Sequence, residues 1–282
     1  MRLHVLGSGS PEPYARRAST GLLVEAAGQR ILLDCGGGVV SRLLEAGFEP
    51  ADVDVLVFTH LHSDHMIDYA RLIHAAWDSA DKRIRVFGPA PIATIHERLF
   101  GPQGALAFDL AARTGLVESQ EVWRARGGTV PRPWPAPEIA EIEPGFVLDG
   151  DGWRLTTCEV PHAQHHLTCM AMRLDAGGKS FVFSGDAGLC PALETLTQGA
   201  DLLVHWCYRS EGQTLSPSLD AKSPTPSEIA RMARAAGVKR LLLTHIRVQM
   251  DAEEPRNAAL EALAREFGPN AGIAEDLEVY EI

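Results

Sequence analysis

The chain has 282 residues, 45% of them hydrophobic, and a formal net charge of −11. This content suffices for a sizeable core, and we predict one domain over residues 1–282. The charge excludes a generally basic surface, so a polyanion would need a local basic patch. The only early basic cluster is the pair Arg16 and Arg17, which we interpret as a solvated loop.

The sequence contains no feature that indicates secretion or membrane insertion. No apolar run approaches the roughly 18 residues of a membrane span. The opening MRLHVLGSGS reads as a strand entering a turn, not as a leader. Five scattered cysteines, never in a C-x-x-C pair, support neither a disulfide framework nor a zinc ribbon. We therefore expect a cytoplasmic enzyme with no membrane partner.

The first part of the chain alternates β-type runs with amphipathic helical stretches. The runs RLHVLG, GLLVEA, RILLDCG, VDVLVFTH and RIRVFG predict strands. Helices are predicted near VVSRLLEAG and MIDYARLIHAAW.

Residues 89–150 form a long connection after these elements. Its middle has helical character, and its end, GGTVPRPWPAPE, is too rich in proline and glycine for a core element. Trp134, flanked by prolines, favours an insertion that acts as a lid and contributes to substrate binding. The alternative interpretation is a disordered surface loop.

A second series of strands follows, with the runs WRLTTCEV, CMAMRLD, KSFVFSGD, DLLVHWCY and RLLLTHI. Before the last run, TPSEIARMARAAG has Thr225 as N-cap, Pro226 at the first helical position, Glu228 at the capping-box position and Gly237 past the end. Two strand-rich halves, each with helices, predict an α/β (α+β) protein with a four-layer αββα sandwich.

The segment FTHLHSDHMID concentrates metal-binding side chains behind an apolar strand. His60 and His62 share a face of an extended segment, while Asp64 and His65 face a neighbouring point near a helix that Ser63 caps. Imidazole and carboxylate ligands without thiolates suit zinc, and also manganese or iron. Further ligands follow later strands, namely His162, Asp186 and His245. We therefore predict two divalent metal ions at one edge of the two sheets.

This H-x-H-x-D-H pattern with later single His, Asp and His residues resembles the metallo-β-lactamase superfamily. The segments LGSGSPEP, ILLDCGGG, FSGDAG and GVKRLLLTH resemble its ribonuclease Z and arylsulfatase-like branch. The resemblance implies that His60, His62 and His162 hold one metal, that Asp64, His65 and His245 hold the other, and that Asp186 bridges both. Asp34 resembles the family's buried aspartate behind the ligands. The family also implies a homodimer, for which the sequence specifies no interface.

Departures from the ribonuclease Z pattern guide the expectation about substrate. Where that family has a glutamate and a histidine thought to assist the leaving group, this chain has Trp206 and Ser223. Only 24 positions separate His162 from Asp186, which leaves no room for the family's long tRNA-gripping arm. PEPYARRAS also departs from the signature P-x-K-x-R-N. Nucleic acid is therefore an unexpected partner.

We expect a hydrolase of a small-molecule ester, lactone or cyclic amide. Two adjacent ions would lower the pKa of a bridging water, and Asp64 would orient this nucleophile while serving as a ligand. Trp206 and Tyr208 would form an aromatic substrate-binding wall.

Three alternatives remain open at this point. The first is a phosphodiesterase, ribonuclease Z-like nuclease or arylsulfatase with His205, Lys222 or Arg247 as proton donor. The second is a catalytically silent binding subunit. The third, a mononuclear iron enzyme of the same fold, would bind a single ion.

Overall fold

The computed structural model describes residues 1–80 and 82–282, and in this part of the chain fourteen strands form two seven-stranded sheets. The strands are β1 (Arg2–Gly7), β2 (Gly21–Ala26), β3 (Gln29–Leu33), β4 (Val55–Val57), β5 (Arg85–Gly88), β6 (Glu138–Glu141), β7 (Val147–Gly150), β8 (Trp153–Glu159), β9 (Met170–Ala176), β10 (Lys179–Phe183), β11 (Leu202–Trp206), β12 (Leu241–Thr244), β13 (Ala271–Ile273) and β14 (Val279–Glu281). The helices are α1 (Val39–Glu45), α2 (Ser63–Met66), α3 (Tyr69–Ala80), α4 (Ile92–Phe100), α5 (Ala107–Gly115), α6 (Val117–Ala125), α7 (Pro191–Thr197), α8 (Pro217–Asp220), α9 (Pro226–Ala235) and α10 (Glu253–Glu266). None of these helices is long and apolar enough to cross a membrane.

Each sheet combines an antiparallel part with a parallel part. The first sheet has the order β14-β1-β2-β3-β4-β5-β6 and is parallel from β3 to β6. The second has the order β13-β12-β11-β10-β9-β8-β7 and is parallel from β10 to β13. The parallel strands of each sheet therefore end at a common edge, where loops that carry functional groups collect.

The prediction of a four-layer αββα sandwich is confirmed. The sequences of the strands are continuous apolar runs because both faces of each sheet are buried. In β2, Leu22 and Val24 join the cluster between the sheets, whereas Leu23 joins the cluster under α1 and α3. In β10, Phe181 faces the interior and Val182 faces the helices of the second sheet. Alternate residues of one strand thus serve two cores.

The predicted boundaries of the second-half helix are confirmed. Thr225 is the N-cap of α9, and its side chain and that of Glu228 form a capping box. Gly237 follows with a positive φ of 71°. The start of α2 differs from the prediction, because the helix begins at Ser63 and His62 is its N-cap. Ser63 is exposed and makes no side-chain cap.

Residues 89–150 contain α4, α5 and α6, as their helical character predicts, and then supply β6 and β7 to the two sheets. The guanidinium of Arg132 lies 3.7 Å from the ring centroid of Trp77 and 4.4 Å from that of Trp123. Trp134 is half-buried and packs against the cluster between the first sheet and its helices. This segment therefore packs as part of the body of the fold.

Arg17 is buried, so the interpretation of the Arg16–Arg17 pair as a solvated loop is wrong for Arg17. Its side chain is 0% exposed and binds the carboxylate of Asp251 through Nε at 2.6 Å and Nη2 at 2.9 Å. It also donates to Ser8 Oγ and to the carbonyl oxygen of Ala274. The Arg17–Asp251 ion pair thus connects the loop after β1 to the segment before α10.

Candidate metal centre

Seven side chains with metal-ligand chemistry meet at the edge where the parallel strands end. They come from the segment after β4, from the loop between β8 and β9, and from the residues that follow β10 and β12, and they are His60, His62, Asp64, His65, His162, Asp186 and His245. The fold therefore brings together the seven residues that the sequence pattern predicts as ligands.

The first group of ligand atoms consists of three histidine nitrogens. His60 Nε2 lies 3.0 Å from His62 Nδ1, which lies 3.2 Å from His162 Nε2. His60 is buried, whereas His62 and His162 are partly exposed. The group thus opens toward solvent on one side.

The second group consists of Asp64, His65 and His245, all of them buried. The Asp64 Oδ2 atom is 3.0 Å from His245 Nε2 and 3.6 Å from His65 Nε2. The Nε2 atom of His65 has no hydrogen-bond partner in the part of the chain that the structure describes. A buried polar atom of this kind needs a ligand, since leaving it unpaired costs about 1–3 kcal/mol.

Asp186 lies between the two groups and approaches both. One carboxylate oxygen, Oδ2, is 3.6 Å from His162 Nε2 and 3.3 Å from His245 Nε2. The other, Oδ1, is 3.3 Å from His65 Nε2. This carboxylate is placed where one side chain can serve two ions.

The spacing of these atoms fits divalent metals. A tetrahedral ion with ligands at about 2.1 Å holds them about 3.4 Å apart. The separations given above run from 3.0 Å between His60 and His62 to 3.6 Å between His162 and Asp186, and all ligand atoms within a group lie within 4.8 Å of one another. The donor set of imidazoles and carboxylates also fits such ions, so the residues present suit a two-metal site.

Asp34 and Thr59 fix the orientation of two of the imidazoles. The Asp34 carboxylate accepts from His65 Nδ1 at 2.7 Å, and from the backbone N–H and hydroxyl of Thr59 at 2.8 Å each. Since the Thr59 hydroxyl donates to Asp34, its oxygen accepts from His60 Nδ1 at 3.0 Å. In the neutral form that binds a metal, both imidazoles then carry their proton on Nδ1 and present Nε2 to the centre, an arrangement that outer carboxylates enforce in metal sites.

Burial and charge shift the pKa values of the ligand residues in different directions. Burial lowers the pKa of His60 well below 6.5, and the neighbouring His65 lowers it further. Burial also lowers the pKa of His65, but the Asp186 and Asp34 carboxylates outweigh it and raise that pKa well above 6.5. Burial raises the pKa of Asp186, but His245 and His65 outweigh it and lower that pKa below its ordinary value.

Two residues of the site adopt strained backbone conformations. Asp34 follows β3 with φ of 60°, and His245 follows β12 with φ of 63°. L-residues with side chains rarely occupy this region, and such strain concentrates at functional sites. Both residues turn the chain at the carboxyl end of a parallel strand, so the strained turns bring their side chains into the centre.

A cavity of about 230 Å³ lies over the centre. Five of the predicted ligands line it, and they are His62, Asp64, His162, Asp186 and His245. The remaining wall consists of Pro11, Trp206, Tyr208, Leu219, Lys222 and Ser223. The predicted aromatic wall therefore lies beside the metal groups, with the ring centroid of Trp206 5.4 Å from that of His162 and 6.0 Å from that of His245.

Two other predicted site residues do not line this cavity. Trp134 packs on the outer face of the first sheet, so it has no position from which to act as a lid. His205 is completely buried in β11 and donates from Nδ1 to the carbonyl oxygen of Trp206 at 2.7 Å. Burial lowers its pKa to about 4, so His205 is neutral at pH 7 and is placed to support the position of Trp206.

Sequence reasoning missed Thr59, Pro11 and Leu219. Thr59 precedes His60 directly, so its place at a strand end was a usable signal. Pro11 reaches the cavity from the loop before β2 and Leu219 from α8, and only the tertiary structure brings these two segments together.

Comparisons with known proteins agree with this geometry. A family model described as a β-lactamase superfamily domain matches residues 29–246. A ribonuclease Z of Mycobacterium avium (strain 104) is 32% identical over 280 residues, which cover 97% of this chain and 95% of the relative.

Two solved structures share the fold. The metallo-β-lactamase fold protein YhfI from Bacillus subtilis has a TM-score of 0.74 at 22% identity, with 99% of each chain covered. The human short form of tRNase Z has a TM-score of 0.71 at 17% identity and covers 100% of this chain and 99% of its own. At these identities the likeness concerns the fold alone.

These relatives contradict two expectations from the sequence, namely a small-molecule ester, lactone or cyclic amide as substrate and nucleic acid as an unexpected partner. The relative that matches 97% of the chain is a ribonuclease Z. Both expectations rested mainly on Trp206, Ser223 and the missing arm. These features affect how a leaving group or a distant part of the substrate is handled, and they do not define the bond that a two-metal centre cleaves.

Proposed function

Because the chain belongs to the ribonuclease Z branch of the metallo-β-lactamase superfamily, we propose that it is a metal-dependent phosphodiesterase that cleaves RNA. The observation that carries the proposal is the pair of three-residue ligand groups joined by Asp186. Such a pair would hold two divalent ions, which would supply the charge stabilisation that phosphodiester cleavage requires.

We propose that His60, His62 and His162 hold one divalent ion, that Asp64, His65 and His245 hold the other, and that Asp186 bridges them. Bound there, two ions would supply a nucleophile at neutral pH and Lewis-acid stabilisation of charge on the phosphoryl group. We propose zinc as the metal, because the donors are mainly imidazoles; manganese and iron are the alternatives.

The chain's own residues prepare the site for this chemistry. Asp34 and Thr59 hold two imidazoles in one orientation, so the ligand set is organised before a substrate arrives. Asp64 lines the cavity as well as facing the second group, so it is placed to orient the attacking group. Lys222 also lines the cavity and supplies positive charge beside a phosphodiester.

Two further features of the proposal concern cellular context. The five cysteines are free, which suits a reducing compartment, and a cytoplasmic location stays our prediction. A homodimer likewise stays a prediction.

The test is cleavage of a labelled RNA hairpin with a single-stranded 3′ extension by zinc-loaded protein. We expect metal-dependent cleavage of this RNA that a chelator abolishes. A DNA strand of the same sequence serves as the substrate control. Asp186→Ala should lose at least about 100-fold in rate, whereas Asp149→Ala, which changes an exposed carboxylate of β7, should retain the wild-type rate. RNA that stays intact under conditions in which the protein holds its metal would contradict the proposal.

A further inference from the structure

The cavity wall beside the ligand groups contains buried donors that have no partner among the described residues. The indole Nε1 of Trp206 and the hydroxyl of Ser223 make no hydrogen bond within residues 1–80 and 82–282. Trp206 is 3% exposed and Ser223 is 0% exposed, and both residues line the cavity. Because a buried donor without a partner destabilises the protein, a ligand that supplies acceptors to both would recover this free energy.

Lys222 adds a positive charge to the same wall. Its ammonium group donates to the carbonyl oxygen of His162 at 2.9 Å, which holds it beside the first ligand group. An ammonium has three donor hydrogens, so two remain for a ligand. Among the described residues that line the cavity, Lys222 is the only lysine or arginine.

The fold holds Trp206 and Ser223 firmly in place. Trp206 ends β11, its backbone N–H donates to Ser184 Oγ at 2.9 Å, and its ring is stacked on Tyr208 with centroids 5.8 Å apart. Ser223 precedes the capped start of α9 by two residues. Because these contacts already fix the two side chains, they lose little conformational freedom when a ligand binds.

We propose that Trp206, Ser223 and Lys222 form a donor set that binds the phosphoryl oxygens of the substrate beside the metal centre. The inference rests on the proposed function and names the residues that recognise the phosphodiester. A phosphoryl group offers several charged acceptor oxygens, which matches two neutral donors and one cation. Neither indole nor a serine hydroxyl titrates near neutral pH, so these two groups bind charge and do not transfer a proton.

This assignment gives Trp206 and Ser223 a role that differs from the one implied by the ribonuclease Z resemblance. That resemblance has a glutamate and a histidine at their positions. Fixed donors that point at developing charge stabilise it without a proton transfer. The wall therefore compensates for the missing pair by binding the phosphoryl group.

The experiment measures the affinity of zinc-loaded protein for inorganic phosphate by calorimetry. We expect Trp206→Phe, Ser223→Ala and Lys222→Met each to weaken phosphate binding by about 10-fold or more, because each removes a hydrogen bond to a charged ligand. The zinc content should not change. The matched controls are Trp153→Phe, which removes an indole N–H in β8, and Ser10→Ala, which removes another buried unpartnered hydroxyl. Both should bind phosphate as the wild type does.

A second readout follows phosphate binding in the wild-type protein, and the Trp206→Phe variant serves only to assign one resonance. The indole N–H resonance of Trp206, assigned by its absence in Trp206→Phe, should move when phosphate is added, while that of Trp153 stays in place. An unmoved Trp206 resonance at saturating phosphate, or affinities of all three variants within twofold of wild type, would overturn the inference.

The two proposals can fail separately. If the wild type cleaves RNA and the three variants cleave it with unchanged KM and kcat, the donor set is overturned and the ribonuclease proposal stands. If phosphate affinity depends on the donor set but no RNA is cleaved, the donor set stands and the RNA substrate is overturned.

Discussion

Asp34 determines which nitrogen two of the imidazoles turn toward the centre. Its carboxylate accepts directly from His65 Nδ1 and, through the Thr59 hydroxyl, fixes the proton of His60 on Nδ1. A neutral histidine can carry its proton on either ring nitrogen, and the partner of one nitrogen decides the state of the other. A single completely buried carboxylate thus organises ligands of both groups.

Asp34→Asn should therefore weaken zinc binding by about 10- to 100-fold, the usual effect of losing an outer carboxylate. The amide can donate as well as accept, so it no longer forces either tautomer. Competition with a chromogenic chelator measures the affinity. Asp149→Asn, at an exposed carboxylate paired with Arg154, is the control and should leave it unchanged. Equal zinc affinities in wild type and Asp34→Asn would show that the ligands need no such support.

Asp186→Ala should reduce cleavage more than Asp64→Ala. Asp186 approaches ligand atoms of both groups, whereas Asp64 approaches those of one. Both variants should also show a lower Tm in the presence of zinc, because weaker metal binding stabilises the folded state less. Cleavage rates and thermal unfolding measure the two effects. Full activity of Asp186→Ala with two ions bound would exclude a bridging role.

Which site residues the sequence reveals depends on whether their contacts are local. His60, His62, Asp64 and His65 stand within six residues, so their spacing alone indicates a metal site. The hydrogen bonds that link Asp34 through Thr59 to His60 cannot be found in this way, because they require β3 and β4 to be neighbours in the sheet. Local patterns thus give the ligands, and tertiary contacts give their support.

At the level of elements, predictions from local signals hold best. The capping box and the glycine of α9 depend on adjacent residues, and the structure confirms them. The segment 89–150 shows the opposite case, because β6 and β7 are short and largely exposed and have no apolar run to mark them. Trp134 looked like a lid residue because its packing partners lie elsewhere in the sequence.

The Arg17–Asp251 pair connects distant elements, and Arg17→Met should destabilise the protein by about 3–5 kcal/mol. The expected loss is large because the substitution leaves the Asp251 carboxylate, 1% exposed, without its closest partner. Arg16→Met is the control, since the Arg16 side chain is 46% exposed, and should cost less than about 1 kcal/mol. Urea unfolding gives both values. Similar losses of unfolding free energy in the two variants would contradict a larger contribution from the buried Arg17–Asp251 pair.

Asp201 links β10 and β11 and should make stability depend on acid pH. Burial raises its pKa, but the hydrogen bonds from Lys239 and Ser180 outweigh this and lower the pKa from 3.8 to about 2. A lowered folded-state pKa contributes stability above the ordinary pKa that is lost as pH falls from about 4 to about 2. The wild type should therefore lose more stability than Asp201→Asn over this range.

Urea unfolding at several pH values between 5 and 2 measures this difference. Asp151→Asn, at an exposed carboxylate, is the control and should follow the wild-type curve. Parallel losses in wild type and Asp201→Asn would contradict the assignment.

For the whole molecule, the sequence predicts the αββα architecture better than it predicts the substrate. The cluster between the sheets contains residues of both halves. One domain over residues 1–282 stays our prediction. The expectation of a small-molecule substrate is wrong, because differences at Trp206 and Ser223 do not outweigh similarity to a ribonuclease Z over 97% of the chain. Under the proposed function, the net charge of −11 would restrict RNA contacts to the neighbourhood of local cations such as Lys222.

The central claim is that two ions, held by seven residues of this chain, cleave RNA. It is tested most directly by measuring the rate of RNA cleavage while zinc is added stepwise to metal-free protein. We predict that the rate rises until two equivalents of zinc per chain are bound and then stays constant, because both ligand groups must be filled. A rate that is already maximal at one equivalent, or RNA that stays uncleaved with two ions bound, would contradict the claim.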